Sequence, residues 1–336
     1  MIFFALDQVA GAEYVLPFLL DAECRAANPW KIFAAKPAAT VLARHGLDFE
    51  LLAEPEPEAI AELFATYRPT KCVASTSNES RLERLFIKTA KDRHVPCAQL
   101  IDTWVNYVER FRVAGETLYP DYILTLDDLA RARMIRDGIP ADLIRIIGQP
   151  YLELTLAHAS SGGSRSRILL LSQPIDRYYQ KTLGYDQWDF LAACLDALCL
   201  SGDARPIEVN VHPAEDLADY ERFLAARGCT ATAMKQADLT YGDYAHFLGM
   251  FTSVLLQGVL HGVATASVQP GAVGPDKCIL SENGIIPRFT DVAGLAEYLR
   301  HPAATADASR LREVVVGSIA RLKRFILEEL GSSRHA

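Results

Sequence analysis

At 336 residues the chain is too long for one ordinary small domain and suits two, and with half its residues apolar and a mean hydropathy of +0.07 both halves can bury a core. A net charge of −8 and a pI near 5.5 argue against nucleic acid as the main ligand, because binding a phosphate backbone rests on a basic surface. No run reaches the roughly 18 uncharged apolar residues of a membrane span, and the opening residues carry Asp7 and Glu13 without a basic n-region, so a cytoplasmic protein is expected.

The first half alternates strand and helix signals. Residues 1–6 form a short apolar run with the character of a buried parallel strand. A loop at 7–12 containing Gly11 leads to a helix at 13–27, in which Pro17 is tolerable only near the start. A strand at 30–34, a helix at 36–45, a strand at 49–52 and a helix at 57–67 follow. The strand 71–74 meets the polar cluster 75–80, which contains Ser77 and Glu79 and opens a helix at 81–92. Strands at 96–101 and 121–126 continue the rhythm. Such βαβα alternation implies a mostly parallel sheet with helices on both faces.

Residues 158–165 are small, polar and Gly-rich, the composition of a linker. The alternation then resumes: strand 167–172, helix 187–200, strand 207–212, helix 214–227, strand 245–250, helix 253–260 and strand 264–269. Residues 297–300 and 304–330 read as helical, the last long enough to reach back across the first domain. The expected organisation is a Rossmann-like domain at 1–158, a second at 166–305 facing it across a cleft, and a C-terminal helix at 306–336 packing back on the first.

Two short pairs stand where strands give way to helices. His212-Pro213 ends the β-branched run from Ile207, and Thr252-Ser253 ends the run from Phe247. Open α/β sheets bind ligands at that edge. A hydroxyl residue at a helix start leaves backbone N–H groups free, and with an imidazole it makes a phosphate site, as a sugar nucleotide requires. Ser172-Gln173, at the end of the strand from Arg167, lies at the same edge.

Candidate acids and bases end strands of the first domain. Asp7 ends the first strand, Glu79 follows the fourth, and Asp102 ends the strand 96–101. Transfer to a hydroxyl acceptor needs a carboxylate or imidazole within reach of that hydroxyl. After Asp102 comes Thr103-Trp104-Val105-Asn106-Tyr107, whose aromatic and polar side chains suit the apolar face and hydroxyl rim of a sugar. An N-cap role for Asp7 stays open, as does core packing for Trp104 and Tyr107.

Metal and glycine-loop signals are missing. The eight histidines are dispersed, HExxH is absent, and Asp127-Asp128 reads as a helix start where acids favour the dipole. Neither GxxxxGK[ST] nor GxGxxG occurs. Seven cysteines without a CxxC pair read as reduced core residues. Arg310, Arg312, Arg321, Lys323 and Arg324 can touch an anionic membrane surface, or form a solvated helix face.

The order of elements resembles the GT-B fold of glycosyltransferases, and His-Pro followed by Thr-Ser is similar to the motif pair of bacterial sialyltransferases and related enzymes that use CMP-activated sugars. Residues 100–107, Gly148-Gln149-Pro150, Ser172-Gln173-Pro174 and 249–257 resemble surface-polysaccharide biosynthesis proteins of the same fold. The resemblance implies that His212, Thr252 and Ser253 hold the nucleotide phosphate. It departs in two places: the acidic pair followed by glycine that supplies the sialyltransferase base is missing, and Gln257 stands where many GT-B enzymes have a ribose-binding glutamate. Gln can still bond a ribose as a neutral group.

The implied activity is a metal-independent transfer of a sugar, such as a CMP-activated nonulosonic acid, from a nucleotide donor to a hydroxyl of a glycan or lipid-linked acceptor in cell-surface glycan synthesis. In that reading His212, Pro213, Thr252, Ser253, Gln257, Ser172 and Gln173 bind the nucleotide. Gly11, Ser77, Trp104, Asn106 and Tyr107 bind the acceptor, and Asp102, Asp7 or Glu79 takes the acceptor proton. No cofactor is required beyond the nucleotide-sugar itself. Two alternatives share the fold: a nucleotide-sugar hydrolase or hydrolysing epimerase, which replaces the acceptor by water, and a catalytically idle nucleotide-sugar-binding protein.

Overall fold

The computed structural model describes residues 1–77, 81–104, 106–113, 115–158, 163–180, 182–235, 239–301 and 309–332. The chain divides into two compact units, Met1–Ala157 with Glu313–Ala336, and His158–Arg312.

Unit 1 is built on a seven-stranded sheet. In chain order its strands are β1 (Ile2–Leu6), β2 (Trp30–Ala34), β3 (Glu50–Leu51), β4 (Lys71–Ala74) and β5 (Cys97–Leu100), then, after a small hairpin of β6 (Arg112–Val113) and β7 (Glu116–Thr117), β8 (Tyr122–Thr125) and β9 (Ile144–Ile146). The spatial order is β3-β2-β1-β4-β5-β8-β9, with every pair parallel. Central strands of a parallel sheet are covered on both faces, which is why β1 reads Ile-Phe-Phe-Ala-Leu with no polar interruption. Successive side chains point to opposite faces. Phe3 stacks edge-on against Phe33 and Phe64 at 4.9 and 5.1 Å, while Phe4 meets Phe18 and Trp30 on the other side. Fully burying one such ring is worth about 1.5–3 kcal/mol.

Unit 2 carries a six-stranded parallel sheet of β10 (Arg167–Leu171), β11 (Ile207–Asn210), β12 (Thr232–Met234), β13 (Tyr244–Gly249), β14 (Ala264–Val268) and β15 (Arg288–Phe289), in the order β12-β11-β10-β13-β14-β15. One face packs Ile168, Leu170, Val209 and Leu248 against Phe190, Leu191 and Leu295 from the helices Gln187–Ser201 and Val292–Arg300. A capping box starts the first of these helices: Asp186 accepts from the N–H groups of Trp188 and Asp189, and Asp189 accepts from that of Asp186. Gly258 lets the helix Val254–Leu260 lie flat on the sheet, since a Cβ there would sit 2.7 Å from Phe247 and from Thr265.

Three helices differ from expectation. The stretch predicted at 13–27 is two helices, Val9–Leu19 and Ala22–Ala27, because Asp21 leaves helical geometry and caps the second through the Cys24 N–H at 2.8 Å. Pro17 therefore lies near the end of a helix, and Gly11 lies inside one rather than in a loop. The helix predicted from 214 begins at Leu217, with Asp216 as its cap. The long C-terminal helix is broken. Ser309–Val315 stops before Gly317, whose φ of +79° is left-handed, and Ser318–Arg324 then runs into a π-turn at Phe325–Glu329.

The end of the chain belongs to unit 1. Glu153 accepts from the N–H groups of Gly317 and Ile319, each at 2.7 Å, capping the helix Ser318–Arg324 from a distance. Lys71 donates to the carbonyls of Ile326 and Leu327, and Arg321 to that of Ile147. Lys323 pairs with Asp21 and Arg324 with Glu329. In unit 2, Arg312 donates to Leu260 O. These basic residues bond within the protein, while Arg312 and Arg324 stay exposed; the Arg310 side chain lies outside the described ones. Among the described residues no helix is long and apolar enough to cross a membrane.

Candidate functional site

In unit 2 the chain runs from β10 to β11 on one side and crosses back from β12 to β13 on the other, a switch of direction that opens a crevice at the C-terminal edge of the sheet. Leu171 is in register with both Asn210 and Gly249, so the three strands end level. Two strand spacings separate β11 from β13 there, roughly 10 Å. Ser172-Gln173, Val211-His212 and the segment 250–253 emerge at this edge. Gln173 accepts the Phe251 N–H at 2.9 Å and laces the loop after β10 to the loop after β13.

His212 is half-buried, and the Ala214 N–H donates to its Nδ1 at 3.2 Å. Burial, then the nearby charges of Lys235 and Arg177, hold its pKa below the ordinary imidazole value. The ring is therefore neutral at pH 7. With Nδ1 accepting, the proton is assigned to Nε2, which makes His212 a hydrogen-bond donor to a ligand. Lys235, just past β12, donates to the carbonyls of Pro213 and Glu215 and fixes the 212–216 turn. Behind the turn the Glu215 carboxyl accepts from Ser172 Oγ at 3.1 Å and from the Tyr220 hydroxyl at 2.5 Å, and the two hydroxyls also touch. Burial raises the pKa of Glu215. Ser172 is thus a structural link at the floor of the crevice.

Both expected helix starts are occupied. Thr252 Oγ1 accepts the Val254 N–H at 3.3 Å, Thr252 O that of Leu255 and Ser253 O that of Leu256, so the first turn after β13 has little N–H capacity left for a phosphate. Asp216 takes the Ala218 N–H at the other start. Among the described residues, the groups at this edge that suit an anion are His212 Nε2, the exposed hydroxyl residue Ser253 and the cations Arg177 and Lys235. Gln257 is half-buried one turn beyond Ser253, and Pro213 is exposed.

Unit 1 has the same switch of direction, where the chain runs from β1 to β2 on one side and crosses from β3 to β4 on the other. Asp7 follows β1, and its carboxylate accepts from Gln8 Nε2 at 2.7 Å and Ser77 Oγ at 3.4 Å. Gln8, not Asp7, is the N-cap of the helix Val9–Leu19. The Asp7 N–H donates to Ser75 Oγ at 3.2 Å, and Ser75 in turn donates to the buried carboxyl of Glu83. Asp102, with its side chain 20% exposed, stands 3.7 Å from Arg110. Burial raises the Asp102 pKa, and Arg110 opposes the rise. The same guanidinium donates to Thr76 O at 2.9 Å and to Asn106 O at 3.2 Å, tying together the loops after β4 and β5.

Trp104 and Tyr107 turn inward. The Trp104 indole donates to Asp127 Oδ2 at 2.8 Å, and Asp127 caps the helix Asp128–Arg136 through the Ala130 N–H. Tyr107 is buried. Both rings brace the loop, and neither shows a face to solvent, which corrects the expectation that they stack on a sugar. Asn106 is exposed with φ +58°. Glu79 lies outside the described residues. Among those described, His, Cys, Asp and Glu side chains form no cluster able to hold a metal ion. Sequence reasoning missed Arg110, Arg177, Lys235, Glu83 and Glu215, for lone charged residues on helices and turns carry no spacing signal.

No protein-family model matches the sequence, and no curated protein is similar to it. Solved structures are. A UDP complex of MnaA from S. aureus superposes with a TM-score of 0.68 at 9% identity, covering 99% of this chain and 98% of that one. The UDP-GlcNAc 2-epimerase from Methanocaldococcus jannaschii gives 0.66 at 10% identity over 97% and 99%. Anabaena Alr3699/HepE in complex with UDP-glucose gives 0.63 at 14% identity over 98% and 99%. None of these is a sialyltransferase, so the likeness to that family gains no support. At such identities the agreement over nearly the whole length shows the fold: two Rossmann-like α/β domains of the GT-B type.

Proposed function

We propose that the protein is a UDP-sugar epimerase or hydrolase, with nucleotide binding in unit 2 and acid–base chemistry in unit 1. The observation that carries this reading is the neutral His212, whose Nε2–H is left to donate at the crevice edge beside Arg177 and Lys235. A donor imidazole flanked by two cations suits a diphosphate and stabilises charge as it grows on a leaving group. Support for the uridine nucleotide comes from the similar structures, which include UDP-GlcNAc 2-epimerases and complexes with UDP. Epimerisation at a carbon bearing hydrogen needs one group to remove a proton and one to return it. Asp7 and Asp102 at the edge of the unit 1 sheet are carboxyls of the required kind. Transfer to a glycan or lipid-linked acceptor, expected from the motif resemblance, finds less support.

Incubation of the protein with UDP-GlcNAc in D2O, followed by proton NMR, tests the reading. Expected are signals of a second UDP-sugar or of free UDP and sugar, with deuterium at the inverted carbon, and no requirement for an acceptor. Turnover only when an acceptor is added would restore the transferase. No turnover and no binding of UDP, CMP or GDP by calorimetry would refute a nucleotide-sugar site.

A further inference from the structure

We propose that Glu83 is a positioning residue: through Ser75 and the Asp7 amide it holds the chain at the end of β1, and with it Asp7, at the edge of the sheet. Glu83 lies in the helix Arg81–Asp92 with 1% exposure, directly behind the loop after β4. Ser75 Oγ bridges two groups, accepting the Asp7 N–H and donating to Glu83 Oε1. The bridge is packed in place. Gly11 in the facing helix lies so close that a Cβ there would come within 2.2 Å of Ser75 Cβ and 2.6 Å of its Oγ, so only a glycine lets the helix pack against the bridge.

Among the described residues, the charged groups facing Glu83 are Asp7 from the end of β1 and Asp102 from the end of β5, the latter paired with Arg110. Both carboxylates disfavour a third negative charge, and burial disfavours it more; together they raise the Glu83 pKa to about 8, against the pull of Ser75 and of the Asp7 amide. At neutral pH Glu83 therefore keeps its proton. Losing it places a buried anion behind two other carboxylates, and Ser75, which donates to that carboxyl and accepts the Asp7 N–H, carries the change of charge to the Asp7 amide. Nearby, the Tyr14 hydroxyl is buried without a hydrogen-bond partner among the described residues and feels the Asp102 charge.

The use of Asp7 in chemistry rests on the function proposed above; the hold on Asp7 does not. The test follows the Asp7 backbone amide by NMR in the 15N-labelled full chain from pH 5.5 to 10. Expected is one transition near pH 8 in the wild type and none in Glu83→Gln, with Glu83→Ala displaced throughout. If the alanine variant does not fold, the Gln variant alone decides. A flat wild-type titration, or a transition that survives in Glu83→Gln, overturns the inference. The same proteins are then assayed on UDP-GlcNAc, where wild-type turnover falls through the transition and the Gln variant lacks that fall. No turnover in the wild type refutes the function and leaves the amide result standing. An unchanged alkaline fall in Glu83→Gln counts against Glu83.

Discussion

Gly11 and Ser75 meet at a separation that admits no side chain at position 11: a Cβ would lie 2.2 Å from Ser75 Cβ. The helix Val9–Leu19 and the strand end of β4 are thereby locked together beneath Asp7. Gly11→Ala should cost about 1–3 kcal/mol or more, the range of overpacking in a close-packed interior, as read by urea unfolding. Stability within a few tenths of the wild type would mean that the helix yields easily and that Ser75 is not fixed.

In unit 2, His212→Ala should weaken UDP binding by about 1.5–3 kcal/mol, the usual worth of a hydrogen bond to a charged group, with the melting temperature preserved. Nitrogen NMR of the free protein at pH 7 should show Nε2 protonated and Nδ1 not. A bare Nε2 would remove the donor role.

Asp102→Asn should preserve the fold and UDP binding while lowering turnover by about 10² to 10⁴, the range for loss of a general base. Because burial raises the Asp102 pKa, the acid limb of the wild-type rate profile should lie above the ordinary carboxylate range. Near-normal turnover in a folded Asn variant would move the base to Asp7.

His246 in β13 is 1% exposed, and its Nδ1 is buried without a hydrogen-bond partner. Burial, aided by Arg205, lowers its pKa to about 4. Above pH 6.5 the imidazole is neutral whether the chain is folded or not and has no effect on the pH dependence. As pH falls from 6.5 toward 4 the unfolded chain takes up a proton that the folded one refuses, so stability is lost across that window, by about 3 kcal/mol in all. His246→Leu should unfold with a flatter dependence in urea titrations between pH 7 and 4. Parallel curves for the two proteins would show that another group governs acid unfolding.

Activity on a UDP-sugar should survive EDTA, since His, Cys, Asp and Glu do not converge on a metal site among the described residues. Loss of turnover with EDTA and its return with one divalent ion would reverse that expectation.

The sheets were legible because buried parallel strands are written as continuous apolar runs: β1, β10 and β13 lie almost where the pattern puts them. Helix limits were less so, since they depend on single capping residues. Asp21 splits one expected helix and Asp216 delays another. Strand-end position put Asp7, Asp102 and His212 at sheet edges, and the structure has them just past β1, β5 and β11. Which atoms are free at those ends is a matter of local hydrogen bonds, and so the occupied turn after Thr252 and the inward indole of Trp104 could not be read from residue type. Glu83 shows the same limit, because its surroundings come from three strand ends far apart in the chain.

Unit 1 is finished by the last segment of the chain, whose carbonyls at Ile326 and Leu327 receive Lys71 and whose Lys323 answers Asp21. During synthesis, then, the 155 residues of unit 2, His158–Arg312, are made before the first unit can close. Until that happens, Lys71 and the first turn of the helix Pro150–His158, where Glu153 waits for Gly317, lack their partners. A nascent chain stalled anywhere in unit 2 carries a first sheet without its closing helix, a state open to proteases and chaperones.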